Sequence, residues 1–195
     1  AYAPAWPAGA SPTIIEGSFT IDTAMPRTPK ADDLYPAVAP SGHFNPHLAD
    51  VEYGALDGLV GYAVRRAQLH IYEDFVRSLQ TWHITPPRFS AMTVIAHNPN
   101  LKLTELANIL GVARSGAVLL VDTLEDMGMV ERQPSPKDKR AFRLVLTAKG
   151  ATTLDDITRA VTAHDARVTA HLSTDERYTL LALLNKLASG PDSAS

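Results

Sequence analysis

Residues 101–150 read LKLTELANIL GVARSGAVLL VDTLEDMGMV ERQPSPKDKR AFRLVLTAKG, and this stretch decides the fold. Its first apolar residues recur at the spacing of a short helix, at Leu103, Leu106, Ile109 and Leu110. Thr104 is placed to cap the start of that helix. Gly111 can adopt the left-handed conformation that ends a helix and turns the chain. We therefore predict a first helix followed by a tight turn.

A second helix is predicted from Arg114 onwards, until Gly128 stops it. One side of this helix carries an apolar stripe for packing, made of Ala117, Val118, Leu120, Val121 and Leu124. The other side carries Arg114, Ser115, Leu119 and Thr123. A helix pair joined by a tight turn can place its second helix in the major groove of DNA.

Two segments of alternating polarity follow, at residues 129–132 and 142–146, and predict a pair of strands. Residues 134–140 form a loop between them, because their prolines disfavour a helix. Residues 130–150 carry six bases and two acids, a net charge of +4, whereas residues 1–60 carry seven acids and two bases, a net charge of −5. A local basic region on a chain of net charge −3 suits a small DNA contact. The sequence thus predicts a winged helix-turn-helix in a mainly α-helical protein with a small β-wing.

Four sequence motifs, which follow one another along the chain, resemble those of the multiple-antibiotic-resistance repressor (MarR) family of winged-helix transcription factors. They are Leu120-Val121-Asp122 with Leu124-Glu125, the GMVER of residues 128–132, Asp138-x-Arg140, and Leu146-Thr147-x-x-Gly150. The resemblance extends from about residue 56 to about residue 187. It implies a homodimer, a palindromic double-stranded DNA operator and, usually, a small ligand that weakens DNA binding.

The resemblance also assigns roles in the basic loop. Arg140 matches the family's wing arginine, which enters the minor groove, and Asp138 matches the acid that orients it. A fixed guanidinium suits that narrow, electronegative groove. Lys137 and Lys139 flank the pair and are expected to contact DNA with it.

On the second helix, Arg114, Ser115 and Gly116 open the face expected to meet DNA, where a cation and a hydroxyl can hold a phosphate or a base edge. The chain departs from the family at Leu119 and Thr123, where basic or polar residues are common. This departure leaves the operator sequence open. Leu119 can contact thymine methyl groups, or it can pack against the neighbouring helix.

By resemblance, an effector site lies between the dimerisation helices and the DNA-binding module, lined by the first, second and fifth helices. The candidate ligand-binding residues are Arg66, His70, Trp82, His83, Arg88 and Phe89. A pocket lined by aromatic side chains, with an arginine that can make a bidentate contact to a carboxylate, suits an aromatic acid, a phenolic compound or its CoA thioester. The alternative is that the arginines are surface charges and Trp82 belongs to the core.

The rest of the chain divides around the DNA-binding module at residues 101–150. Residues 1–50 hold eight of the fourteen prolines and form an arm, which either packs across the dimer, covers the effector cavity or is a passive tail. Residues 51–100 carry helices predicted at 56–80 and from Pro86 to Ile95, and residues 151–195 complete a long helix at 148–171. A capping box at residues 173–176 starts a last helix rich in leucine. Both ends of the chain are therefore expected to supply helices that a twofold mate covers.

Several other classes of function are disfavoured. The chain has no cysteine, which excludes thiol-oxidation sensing and zinc–thiolate sites. His43, His47, His164 and His171 lack clear further ligands, so solvated or hydrogen-bonded histidines are a better interpretation than a metal site. No nucleotide-binding or hydrolase motif is present, and we expect neither an enzyme nor a cofactor. No apolar run has the length of a membrane span. The expected DNA binding places the protein in the cytoplasm. The alternative is a winged-helix protein-interaction module with weak or no sequence-specific DNA binding.

Overall fold

In the computed structural model, the described residues are 48–135 and 142–189. Within them the chain forms six α-helices and one two-stranded antiparallel sheet, which confirms the predicted fold class. The helices are α1 (Val60–Leu79), α2 (Pro86–His97), α3 (Leu103–Leu110), α4 (Arg114–Asp126), α5 (Ala148–Val168) and α6 (Thr174–Ser189), and the strands are β1 (Val130–Pro134) and β2 (Phe142–Leu146). The predicted arm, except for its last three residues, lies outside this part of the chain, and so do Lys137, Asp138, Lys139 and Arg140.

Several helices begin or end at other residues than predicted, because local hydrogen bonds and turns determine the boundaries. Thr104 is not the cap of α3, because the helix begins one residue earlier and Glu105 accepts a hydrogen bond from the Lys102 N–H at 2.8 Å. The first long helix begins at Val60 rather than at residue 56, because Gly54–Gly58 forms a separate 3₁₀ turn and Leu59 is extended. The long helix α5 ends at Val168, three residues before the predicted end.

The wing also differs slightly from its prediction. Strand β1 begins one residue later and ends two residues later than expected, and it includes Pro134, which pairs with Phe142 at the last position of the ladder. Proline is tolerated at the end of a sheet edge, because it removes only one backbone donor there. The register runs from Val130 opposite Leu146 to this pair.

One hydrophobic core joins the DNA-binding module to the helices around it. Its fully buried side chains come from α1, α2, α3, α4, the wing strands and α5, and include Leu79, Met92, Leu106, Leu124, Leu144 and Ile157. Burying each such side chain stabilises the fold by about 1.5–3 kcal/mol. The helix-turn-helix and wing are therefore packed onto α1, α2 and α5 and do not form a separate body.

Helix α6 is different, since none of its residues is buried. Ser173 caps it as predicted: its hydroxyl and backbone N–H both lie 2.8 Å from Glu176 Oε2, and the Glu176 N–H points back to the hydroxyl at 3.3 Å. In the described residues no single helix is long and apolar enough to span a membrane. Helices α3 and α4 together have the length and composition of a span, but the chain bends sharply between them.

Candidate DNA interface and effector site

Helices α3 and α4 form a sharp corner of 108°. Gly111 makes the turn with φ 65° and ψ 30°, which confirms the left-handed conformation predicted for it. The Val112 N–H then donates to Ala107 O at 3.0 Å and closes the end of α3. This angle is typical of a helix-turn-helix, in which the first helix supports the second.

The two faces of α4 are divided as the sequence predicts. Its inner face is buried at Ala117, Leu120, Val121 and Leu124. Arg114, Ser115 and Leu119 are exposed, while Gly116 and Thr123 are half-buried. The Thr123 hydroxyl donates to Leu119 O at 2.8 Å, so its proton is used inside the helix. Apart from the loop residues outside the described ranges, all residues predicted for DNA contact thus lie on α4.

The first turn of α4 is suited to an anion. Its N-cap is Ala113, which makes no side-chain capping bond, and no acidic residue lies in the first turn. The N–H groups at the start of a helix lack intrahelical partners, and the helix dipole makes this end positive. With Arg114 beside them, these groups can hold a DNA phosphate.

Arg132 fastens the wing to this helix. Its Nη2 lies 2.6 Å from Asp122 Oδ1, its Nη1 contacts Glu125, and its backbone N–H donates to Glu125 Oε1 at 2.9 Å. The three side chains join β1 to the second half of α4, and the arginine is 28% exposed. This clamp fixes the angle between the wing and the helix. In the sequence these residues belong to the motifs that resemble the family, and their pairing was not predicted, although two acids three residues apart with an arginine seven residues beyond the second were a usable signal.

Among the described residues, the candidate ligand-binding side chains make separate local contacts. Arg66 lies over the Tyr62 ring, with 5.1 Å from its Cζ to the ring centroid. Trp82 and Phe89 are half-buried and pack against the core. Arg88 donates to the backbone oxygen of the exposed His83 at 2.9 Å. These assignments stay predictions.

His70 lines a surface pocket between α1 and α5 that has a volume of about 120 Å³. The other lining residues are Glu73, Asp74, Arg77, Arg167 and Val168. The lining of this pocket is thus charged rather than aromatic, and it includes both acidic and basic side chains. This volume is below the roughly 300–1,000 Å³ of typical ligand sites, so this pocket by itself cannot enclose a CoA thioester.

Beside this pocket, Asp74 on α1 binds two residues of α5. Its Oδ2 lies 2.7 Å from His164 Nδ1 and 3.0 Å from Arg167 Nη2. Since a carboxylate only accepts, Nδ1 of the buried His164 carries the hydrogen, and its ring packs edge-on against Phe75 with centroids 5.5 Å apart. Burial acts to raise the pKa of Asp74, but the hydrogen bonds from His164 and Arg167 outweigh it and hold that pKa below its usual value.

Asp74→Asn is therefore expected to lower the free energy of unfolding by about 2 kcal/mol near neutral pH. Because the folded-state pKa of Asp74 is depressed, its contribution is present above the ordinary aspartate pKa and disappears as the pH falls through the folded value. The difference between wild type and variant should shrink below about pH 4, measured by urea unfolding at several pH values. Asp156→Asn, which removes an exposed partner of Arg159, should change little at any pH. A deficit of Asp74→Asn that does not depend on pH would contradict this assignment.

No group of three or more His, Asp or Glu residues in the described ranges could hold a metal ion. His164 is bound to Asp74 and His171 is exposed, whereas His43 and His47 lie outside those ranges.

Comparisons with known proteins agree with this geometry. Residues 84–142 match the MarR family. A putative transcriptional regulatory protein for the hcr operon of Thauera aromatica is 37% identical over 144 residues, covering 73% of this chain and 87% of that protein. The repressor CouR bound to a 23-mer DNA duplex is 38% identical with a TM-score of 0.68, covering 72% of this chain and 99% of that one. CouR bound to p-coumaroyl-CoA is 36% identical with a TM-score of 0.67 and the same coverage.

The chain belongs to the MarR family. Regulators of this family act on DNA as homodimers. Pairing of two MarR-type protomers accounts for the apolar residues that are exposed towards both ends of the described part of the chain. The exposed apolar residues include Leu59, Val60 and Val64 near the start of α1, and Leu180, Leu181, Leu183, Leu184 and Leu187 on α6. A second copy of the chain can cover this surface.

Proposed function

We propose that this MarR-family protein is a homodimeric transcriptional repressor that leaves a palindromic operator when it binds an aromatic acid, a phenolic compound or its CoA thioester. The observation that carries the proposal is the exposed outer face of α4, with its uncapped start, held at a fixed angle to the wing by Arg132. Support for the effector comes from CouR, which resembles the chain over almost all of its own length and has been solved with DNA and with p-coumaroyl-CoA.

In the proposed complex, each protomer places α4 in a major groove, with half-sites about 34–36 Å apart. Arg114, Ser115 and the N–H groups of the first turn, including that of Gly116, hold phosphates. Lys137 and Lys139 add charge at the neighbouring backbone, and Arg140, oriented by Asp138, reaches the minor groove.

Effector control requires two arrangements of the dimer with different DNA affinities. An effector can weaken DNA binding only by as much as its own affinity differs between those arrangements. Helix α1 is well placed to couple the events, since it carries Arg66 and His70, contacts α5 through Asp74, and leaves an exposed apolar surface for the partner. The cations near the α1–α5 pocket suit a carboxylate or a phosphate.

The proposal is tested by selecting fragments of the host genome with purified protein and measuring the affinity of the selected duplex. A panel of benzoates, hydroxycinnamates and their CoA thioesters is then titrated calorimetrically and added to the preformed DNA complex. We expect at least one member to bind and to release DNA. If none gives heat or releases DNA, the effector assignment fails, whereas failure to retain any duplex at low salt refutes the repressor and favours a protein-interaction module.

Arg140→Ala is expected to weaken binding to all duplexes to a similar extent and to lower the slope of log K against log salt by about one unit. The reason is the loss of one cation at the DNA backbone and minor groove. Gel shifts over a range of KCl concentrations provide the measurement. Arg159→Ala is the matched control, because it also removes one arginine, from an exposed position of α5 paired with Asp156. Equal salt slopes for the two variants would contradict a DNA contact by Arg140.

A further inference from the structure

The centre of the outer face of α4 is apolar, which is unusual for a surface expected to meet DNA. Ser115, Leu119 and Thr123 follow one another at intervals of four residues and therefore lie in one row along the helix. Leu119 is 38% exposed, although large apolar side chains elsewhere on α4 are packed inward. Part of the Leu119 side chain therefore packs within the protomer, and the rest is available to a partner.

The polar groups near Leu119 are already engaged. The Thr123 hydroxyl donates its proton to Leu119 O at 2.8 Å, so it cannot donate to a base, and a methyl group and an accepting oxygen are left to contact a partner. Asp122 is bound to Arg132 at 2.6 Å and cannot turn towards a base without breaking the clamp. Beyond the first turn, this row therefore offers mainly a leucine side chain and a threonine methyl group, with one accepting oxygen and no amide or guanidinium.

The chemistry of the major groove then selects the base. Guanine is read by Arg or Lys and adenine by Asn or Gln, whereas thymine is the base that presents a methyl group at C5. We propose that Leu119 and the methyl group of Thr123 read thymine C5-methyl groups in each half-site of the operator. This inference rests on the proposed DNA-binding function and adds the base that the centre of α4 recognises.

The test uses a duplex selected by the wild-type protein from a randomised library. Each thymine is replaced in turn by deoxyuridine, which removes only the C5-methyl group and keeps base pairing and the O4 acceptor. We expect one or two thymines per half-site at which this replacement weakens binding about fourfold, corresponding to one methyl group no longer buried. Replacing the equivalent thymines of both half-sites should weaken binding about fifteenfold.

Protein variants assign the effect to the named side chains. In Leu119→Ala, deoxyuridine at the sensitive position should no longer weaken binding, so the two changes are not additive. Thr123→Ser removes the methyl group but keeps the hydroxyl that bonds to Leu119 O, and it should reduce the sensitivity at the adjacent thymine. Ile109→Ala on α3, which also shortens an exposed apolar side chain, should keep the full sensitivity. Unchanged melting temperatures show that the variants are folded.

The outcomes separate the two hypotheses. Binding that is equally strong with thymine and deoxyuridine at every position overturns the methyl contact and leaves the proposed repressor intact. Sensitivity that persists in Leu119→Ala and Thr123→Ser also overturns it, because other residues then read the methyl groups. A protein that selects no duplex refutes the proposed function and this inference together.

Discussion

Gly150→Ala is expected to lower the free energy of unfolding by about 3 kcal/mol or more. Gly150 lies in the first turn of α5, where this helix crosses the backbone between α4 and β1. A Cβ atom at this position would overlap the carbonyl oxygen of Met129 and lie 2.8 Å from its carbonyl carbon. These are backbone atoms of a buried segment, so no side-chain rotation relieves the contact.

The contact cannot be relieved by a small shift, because hydrogen bonds fix both sides of it. The Thr147 N–H donates to Met129 O at 3.0 Å, and the Thr147 hydroxyl donates to Gly128 O at 2.7 Å. The same hydroxyl accepts from the Gly150 N–H at 2.9 Å and caps α5. Moving α5 away to make room for a methyl group would break this set and separate the wing from the helix that follows it.

Gly116→Ala is the matched control, because Gly116 occupies the same third position of α4. There a Cβ atom would have Val112 Cβ as its nearest neighbour, at 3.9 Å, which is an ordinary contact. Alanine should stabilise this helix by about 0.5–1 kcal/mol. Urea unfolding of both variants at one protein concentration, followed by far-ultraviolet circular dichroism, measures the difference. Similar stabilities would contradict the close approach at Gly150.

The sequence predicted those features that depend on neighbouring residues. The turn at Gly111, the two faces of α4 and the capping box between Ser173 and Glu176 are each set by residues within about one or two turns of a helix. The wrong prediction for the cap of α3 also concerns neighbouring residues. Both Thr104 and Glu105 are plausible capping residues, and the hydrogen bond from the Lys102 N–H shows that Glu105 is the one that caps the helix.

Contacts between distant residues were not predictable in the same way. Asp74 and His164 are 90 positions apart, and no pattern in the chain brings them together before α1 has packed on α5. For the candidate effector residues, residue type indicated a suitable chemistry, while helix phase alone could not show that His70 lines the α1–α5 pocket and that Trp82 packs on the core. The charged wall of that pocket became visible only from the packing.

The second large effect is expected for the double variant Leu183→Glu and Leu187→Glu, which should be monomeric at micromolar concentration and bind the operator at least 100-fold more weakly. These leucines lie one turn apart on α6, and each is 60% exposed. A helix of 16 residues without any buried residue is marginal in water, so α6 needs a partner surface to stay folded. Dimerisation would remove water from the two introduced glutamates, and the free energy that this costs opposes association.

Loss of DNA affinity should follow, because a monomer can occupy only one half-site and loses the second contact made at high effective concentration. Sedimentation velocity measures the mass, and a gel shift with the selected duplex measures the affinity. The double variant Leu183→Met and Leu187→Met is the control, since it keeps the surface apolar and should remain dimeric with full DNA affinity. A glutamate variant that remains dimeric would show that another surface joins the protomers. A monomeric variant with full affinity would mean that each wing and recognition helix binds DNA independently, and the proposed palindromic operator would then be wrong.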